Sequence, residues 1–202
     1  MQLEDYRIVL ASQSPRRKEL LGRLTENFEV RPGSGEEHPV HTTPREMVEE
    51  LSEGKAWEVY GRVKEEKSGD GRPLLVIGAD TVVAFSGAVL GKPKDREDAF
   101  RMLRMLSGTK HEVFTGVTLI FDGEALTAKT FSERTEVTFS EMTDEEIRTY
   151  IETGDPMDKA GAYGIQSGAC KFVAGISGDY FNVMGFPVSR IYRELARGCK
   201  SC

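Results

Sequence analysis

Residues 74–85, Leu-Leu-Val-Ile-Gly-Ala-Asp-Thr-Val-Val-Ala-Phe, constrain the fold more than any other stretch. Apart from Gly78, Asp80 and Thr81 the run is apolar and does not alternate, which is the pattern of a central strand covered on both faces. A carboxylate in such a strand is costly to bury unless it meets a cation, a metal or hydrogen-bond donors. Asp80 is therefore read as functional, with a buried structural ion pair as the alternative. Ser86-Gly87 then predicts a turn into Ala88-Val89-Leu90, a hairpin, with Gly91-Lys92-Pro93-Lys94 following. From Gly87 to Lys92 the spacing is one residue short of a P-loop, and Pro93 stands where Ser or Thr must bind magnesium. That motif is rejected, but Lys92 in a rigid Gly-Lys-Pro turn is well placed to meet a phosphate.

A second stretch, Leu10 to Leu21, joins a short apolar strand (Ile8-Val9-Leu10) to a helix with Ser14 as N-cap and Pro15 in its first turn. Arg16 and Arg17 follow, where the positive end of the helix dipole makes each cation unfavourable by about 0.3–1 kcal/mol. A bound anion would complete such a site, with a phosphate-rich ligand the simplest candidate. Solvated arginines, or arginines paired with acids elsewhere, are the alternative.

The remaining elements follow from periodicity and caps. Phe28 to Val30 predicts a short strand, and Arg31 to His41 a loop whose Glu36-Glu37-His38 and His41 form either a weak metal signal or a solvated polar segment. Thr43 to about Glu66 predicts a long helix capped by Thr43 with Glu46 three residues on. Lys55 lies inside it, beside Gly54, whose presence suggests either a close approach to the backbone or a tolerated defect. A helix from Arg96 to Leu106 is expected to bury Ala99, Phe100, Leu103 and Leu106 and to end at Gly108. Two strands, 112–121 and 129–139, follow, and alternation in the second predicts a largely antiparallel extension of the sheet. His111 reads as a strand-end residue rather than a catalytic base. Thr143 opens a capping-box helix, Asp158 to Gln166 is a glycine-rich segment able to approach a flat ligand, and Phe172 to Ile176 is a last strand. A helix starting at Phe181 or Pro187 and ending near Ala196 closes the chain.

With 202 residues, 39% hydrophobic and 30% charged, the chain reads as an ordinary globular protein, either one domain or two lobes sharing a sheet, without a membrane span. Its opening residues lack the pattern of a signal peptide, so the cytoplasm is the expected location. The net charge of −6 argues against a nucleic-acid partner, so any anion site is local. Cys170, Cys199 and Cys202 are too few for a disulfide framework, and the last two are read as part of a frayed terminus.

Five stretches in order resemble the Maf family of nucleoside triphosphate pyrophosphatases: Ser12 to Leu21, Gly78-Ala-Asp-Thr-Val83, Gly91-Lys92-Pro93, Asp158 to Gln166, and Gly178 to Pro187. The version ending Tyr-Gly-Ile-Gln166 is similar to the branch acting on dTTP and UTP. The resemblance implies a single domain, 1–202, of mixed α/β fold. It would have a mostly antiparallel-extended central sheet flanked by helices, and two lobes with a cleft, as in inosine triphosphate pyrophosphatase. By position it implies Ser12, Arg16, Arg17, Lys55 and Lys92 as triphosphate-binding residues and Asp80 as proton acceptor. It links Arg16, Thr81 and Gln166 to base choice, and Glu37 with Asp80 to a metal. The expected cofactor is a divalent cation, magnesium or else manganese, and the expected partner a small-molecule nucleotide, with neither nucleic acid nor membrane. Pairing into a homodimer stays open. Gly91 departs from the pattern, since relatives often carry Glu before Lys-Pro. The competing reading is a regulator of cell division that holds a nucleotide without hydrolysing it.

Overall fold

The structure is a computed structural model and describes residues 3–35, 39–66 and 71–198. Strand β1 (Arg7–Ala11) runs into helix α1 (Pro15–Leu21), and β2 (Glu29–Val30) lies parallel to β1 with Val9 opposite Glu29. Helix α2 (Pro44–Val63) starts at Thr43, whose hydroxyl accepts from the Glu46 amide at 3.4 Å. It leads to β3 (Leu74–Phe85), the strand expected from the apolar run, which pairs in parallel with β1 from Arg7 beside Leu74 to Ala11 beside Gly78. Parallel pairing demands a crossover, and α2 supplies it. Val9, Ala11, Ala56, Val59, Tyr60, Val63, Leu74, Val76 and Ile120 form one apolar core around this unit. Full burial of each large side chain there contributes about 1.5–3 kcal/mol before conformational entropy is charged against it.

Ser86 (φ 50°) and Gly87 (φ 80°) both occupy the left-handed region, as a tight hairpin turn requires, and bring in β4 (Ala88–Leu90) antiparallel to β3. Helix α3 (Arg96–Leu106) is capped by Asp95, which accepts from the Asp98 amide at 2.8 Å, and gives way to Gly108 at φ 68°. Its buried face is Ala99, Met102, Leu103 and Leu106. Phe100, expected in that face, is instead half-buried under the Arg148 guanidinium, 4.4 Å from the ring centre. Strands β5 (Lys110–Asp122) and β6 (Leu126–Phe139) are joined by so few residues that only an antiparallel pair can form. Helix α4 (Asp144–Glu152) carries the expected Thr143/Glu146 capping box, and β7 (Val173–Ser177) pairs antiparallel with β6. The closing segment is two helices rather than one, α5 (Tyr180–Val183) and α6 (Val188–Gly198), because Gly185 (φ 97°) and Pro187 break it.

The sheet order is β2-β1-β3-β5-β6-β7, with β4 added to β3. At the β2 end Arg7 binds Glu29 (2.8 Å) and Glu66 (3.3 Å), and Arg31 reaches the same two carboxylates. Among the described residues no helix is long and apolar enough to cross a membrane. The chain divides into two compact units, Met1–Asp80 with Thr115–Glu133 and Gly185–Cys202, and Thr81–Phe114 with Arg134–Met184.

Two glycines let α2 lie directly on the sheet of the first unit. A Cβ on Gly78 would come within 2.4 Å of the Ser52 carbonyl oxygen and 2.8 Å of Ala56 Cβ, and one on Gly116 within 2.1 Å of the Val48 carbonyl oxygen. Gly54, by contrast, is exposed and a Cβ there would meet nothing within 4 Å, so the chain itself makes no close approach at that position.

Candidate functional site

In the first unit the site begins where β1 becomes α1. Ser12 is buried, and its hydroxyl oxygen accepts from the Ser14 amide at 3.2 Å and from Arg17 Nη1 at 3.1 Å. Ser14 occupies the N-cap position with extended backbone, but its own hydroxyl makes no capping bond. Arg17 Nε donates to the Gly185 carbonyl at 2.9 Å, so this guanidinium is tied down from two sides. Arg16 beside it is half-exposed, and the first turn of α1 contains no acid to offset either cation.

Asp80 meets a cation, as an apolar strand requires. Lys55 Nζ donates to Asp80 Oδ1 at 2.5 Å, with side chains only 19% and 13% exposed. Lys55 reaches this carboxylate because α2 sits against Gly78, two residues before Asp80. The register of β1 on β3 then sets the rest: Ala11 lies beside Gly78. Ser12 and the start of α1 therefore follow the carboxyl end of β1, while Asp80 lies within β3, two residues past the last one paired with β1, where β3 runs on beyond its parallel neighbour.

In the second unit Lys92 and Gln166 are exposed and Thr81 is half-buried. The carbonyl of Gly91 accepts from the Gly161 amide at 3.0 Å, which docks the Gly-Lys-Pro turn on the Asp158–Gln166 segment. Gly161 (φ 66°) and Ala162 (φ 60°) are both left-handed, and a Cβ on Gly161 would lie 2.8 Å from Val83 Cγ2. For alanine this backbone is unfavourable by about 1–2 kcal/mol, strain of a kind that gathers at ligand-binding segments.

Of the loop cluster read as a weak metal signal or a solvated polar segment, only His41 falls among the described residues. Glu36, Glu37 and His38 lie outside the described residues. His41 instead sits 2.9 Å from Glu50 through Nδ1, and Glu50, held by the amides of Val40 and His41, has its pKa lowered to about 2. Among the described residues no three His, Cys, Asp or Glu side chains converge as a metal-binding group.

His111 lies within β5, is 2% exposed, and meets the Tyr163 hydroxyl through Nε2 at 2.8 Å. Burial lowers its pKa to about 4. An unfolded histidine titrates near about 6.5, so between those values the unfolded chain binds the extra proton. The stability contributed by the neutral ring is present above that range and is lost as pH falls through it, up to ~3 kcal/mol. Urea denaturation at about pH 7 and about pH 4.5 should show His111→Gln, which keeps a hydrogen-bonding group for Tyr163, losing distinctly less stability on acidification than the wild type. Equal losses would contradict this.

Tyr150, Asp155, Lys159 and Ser167 form a polar group that sequence reasoning misses. Its only sign in the sequence is a lysine inside a run of small residues, four positions after an aspartate.

A family model described as Maf-like protein matches residues 7–198. A dTTP/UTP pyrophosphatase of Agathobacter rectalis is 51% identical over 197 residues, covering 94% of this chain and 96% of that protein. One of Carboxydothermus hydrogenoformans is 49% identical over 189 residues, covering 94% and 97%. A solved structure of a HAM1 protein from Coxiella burnetii aligns with a TM-score of 0.49 at 13% identity, over 95% of this chain and 99% of that one. Half-identity sustained along nearly all of both sequences, together with a family match that runs from β1 to the end of α6, makes this chain a member of the Maf family.

Proposed function

We propose that the whole chain is one Maf domain that hydrolyses dTTP and UTP to the nucleoside monophosphate and pyrophosphate, acting on the nucleotide pool of the cytoplasm. The observation that carries this reading is that Asp80, with Lys55 bound to it, lies on β3 just past the point where the parallel neighbour β1 ends and turns through Ser12 to Arg17. The named activity of the half-identical relatives supports it.

In this reading Arg16, Arg17, Lys55 and Lys92 bind and neutralise the triphosphate, and Ser12 fixes the Arg17 guanidinium. Asp80 orients the attacking water and takes its proton as the water oxygen bonds to the α-phosphorus. The α–β anhydride bond breaks and pyrophosphate leaves. A triphosphate oxygen arriving at Lys55 competes with Asp80 for the ammonium and frees the carboxylate for that work. Arg16, Thr81 and Gln166 recognise the base, the Gln166 amide matching the donor and acceptor of an imide edge.

The chemistry of the donors fits a divalent ion of the magnesium type. Such an ion takes one or two carboxylates plus phosphate oxygens rather than an all-protein cage. Asp80 is the described residue that would hold it, Glu37 the further candidate, and manganese suits the same donors. When bound, the ion supplies additional neutralisation of the polyphosphate charge.

The test is pyrophosphate release from a panel of triphosphates with Mg²⁺, expected to favour dTTP and UTP and to stop on chelation. Tight binding of dTTP with no pyrophosphate released from any nucleotide would replace the hydrolase with a nucleotide-holding regulator.

A further inference from the structure

A lysine side chain only 10% exposed is uncommon, and Lys159 is held by an unusually complete set of partners. Its ammonium donates to the Asp155 carbonyl and to Asp158 Oδ1, each at 2.6 Å, and lies 3.1 Å from Asp155 Oδ1. The other carboxylate oxygen of Asp155 accepts from the Tyr150 hydroxyl at 2.5 Å and from the Ser167 hydroxyl at 2.6 Å. Tyr150 in turn accepts the Gly164 amide at 3.1 Å, and the Ser167 amide donates to the Gly164 carbonyl at 3.1 Å. The stem of Lys159 fills the space beside Gly164, where a Cβ would lie 2.7 Å from Lys159 Cε and 2.4 Å from Ser167 Oγ. Both backbone polar groups of Gly164 and the side chain of Ser167 are thereby fixed. Gln166 stands between these two residues and is exposed.

We propose that Tyr150, Asp155, Lys159 and Ser167 are positioning residues for base selection, a buried polar clamp that sets the direction in which the Gly164–Ser167 turn presents Gln166. The inference rests on the reading of Gln166 as a base-recognising residue. Stability alone is a poor account of the clamp, because apolar side chains of similar volume would fill the same space without the desolvation cost of a buried lysine and its partly buried carboxylate partner. A fully satisfied network does what an apolar filling does not: it admits one orientation of the peptide groups it holds. Misplacing a substrate-reading group by about 1 Å can lower a rate by as much as about 100-fold, so the direction of the turn is a quantity worth fixing.

The test compares kcat and KM for dTTP and dCTP in the wild type, Tyr150→Phe, Ser167→Ala, Gln166→Ala and the Tyr150→Phe/Gln166→Ala double variant. Tyr150→Phe conserves volume while removing the acceptor of the Gly164 amide, and Ser167→Ala serves as a second, independent opening of the clamp. Each is expected to lower the ratio of kcat/KM for dTTP over dCTP by about 10-fold, mainly through the KM for dTTP. The double variant should match Gln166→Ala, because the clamp acts through that side chain. A merely structural role would lower thermal stability and scale kcat for both nucleotides alike, leaving the ratio unmoved. A ratio lost in Gln166→Ala but kept in both Tyr150→Phe and Ser167→Ala overturns the clamp alone. A ratio unchanged in Gln166→Ala, or a wild type that hydrolyses neither nucleotide, overturns the underlying reading and the clamp with it.

Discussion

An Asp80→Asn protein is expected to fold and to release pyrophosphate from dTTP at about one-thousandth of the wild-type kcat. Asparagine keeps the shape of the side chain and an oxygen that can accept from Lys55, so strand β3 loses neither packing nor its polar contact. What it loses is the charge that accepts a proton or holds a cation. The two roles separate in the same experiment. An unchanged Mg²⁺ requirement with collapsed kcat marks proton acceptance, whereas a rise in the Mg²⁺ needed for half-maximal rate marks ion binding. Lys55→Met is the complementary variant, since it leaves a carboxylate only 13% exposed without its ion-pair partner and should raise the KM for the triphosphate as well. Full turnover by Asp80→Asn would move the proton-accepting role to another residue.

The second large effect is expected at the contact of α2 with the sheet. Gly116→Ala should destabilise the fold by ~3 kcal/mol or more, because the added methyl would overlap the Val48 carbonyl group and neither backbone can yield without shifting the helix. Gly78→Ala should be destabilising in the same way and should also lower kcat, since displacing Ser52 and Ala56 carries Lys55 away from Asp80. Gly54→Ala is the control within the same helix. With open space around it, the replacement should be neutral or stabilising by up to ~1 kcal/mol. Urea denaturation of the three variants, alongside their kcat values, checks the ordering. A Gly78→Ala protein with wild-type stability and turnover would mean that the helix does not set the position of Lys55.

Local signals in the sequence are strong where one residue's own chemistry decides the structure. The ends of β3 at Leu74 and Phe85, the Ser86-Gly87 turn, and the caps Thr43, Asp95 and Thr143 are all of this kind. Asp80 stood out because an apolar strand cannot hide a bare carboxylate, but its partner lies 25 residues earlier and no local pattern joins the two. The same limit explains Phe100: helical periodicity places it near the buried face, and only the later arrival of Arg148 decides that its ring lies at the edge. Ser14 carries the right residue type for a capping bond, yet Ser12 takes the Ser14 amide because the chain turns between strand and helix there. The clamp around Gly164 was invisible for a further reason. Its members are a tyrosine, an aspartate, a lysine and a serine on separate turns, each unremarkable until folding brings them together.

The brevity of β2 has a consequence for solubility. Strands with free edges invite backbone hydrogen bonding from other molecules, and long flat ones seed aggregation. Here the outermost strand on that side offers only Glu29 and Val30, crossed by the guanidiniums of Arg7 and Arg31. A passing chain would have to displace these ion pairs for the sake of a template two residues long, so intermolecular growth is discouraged at that margin of the sheet.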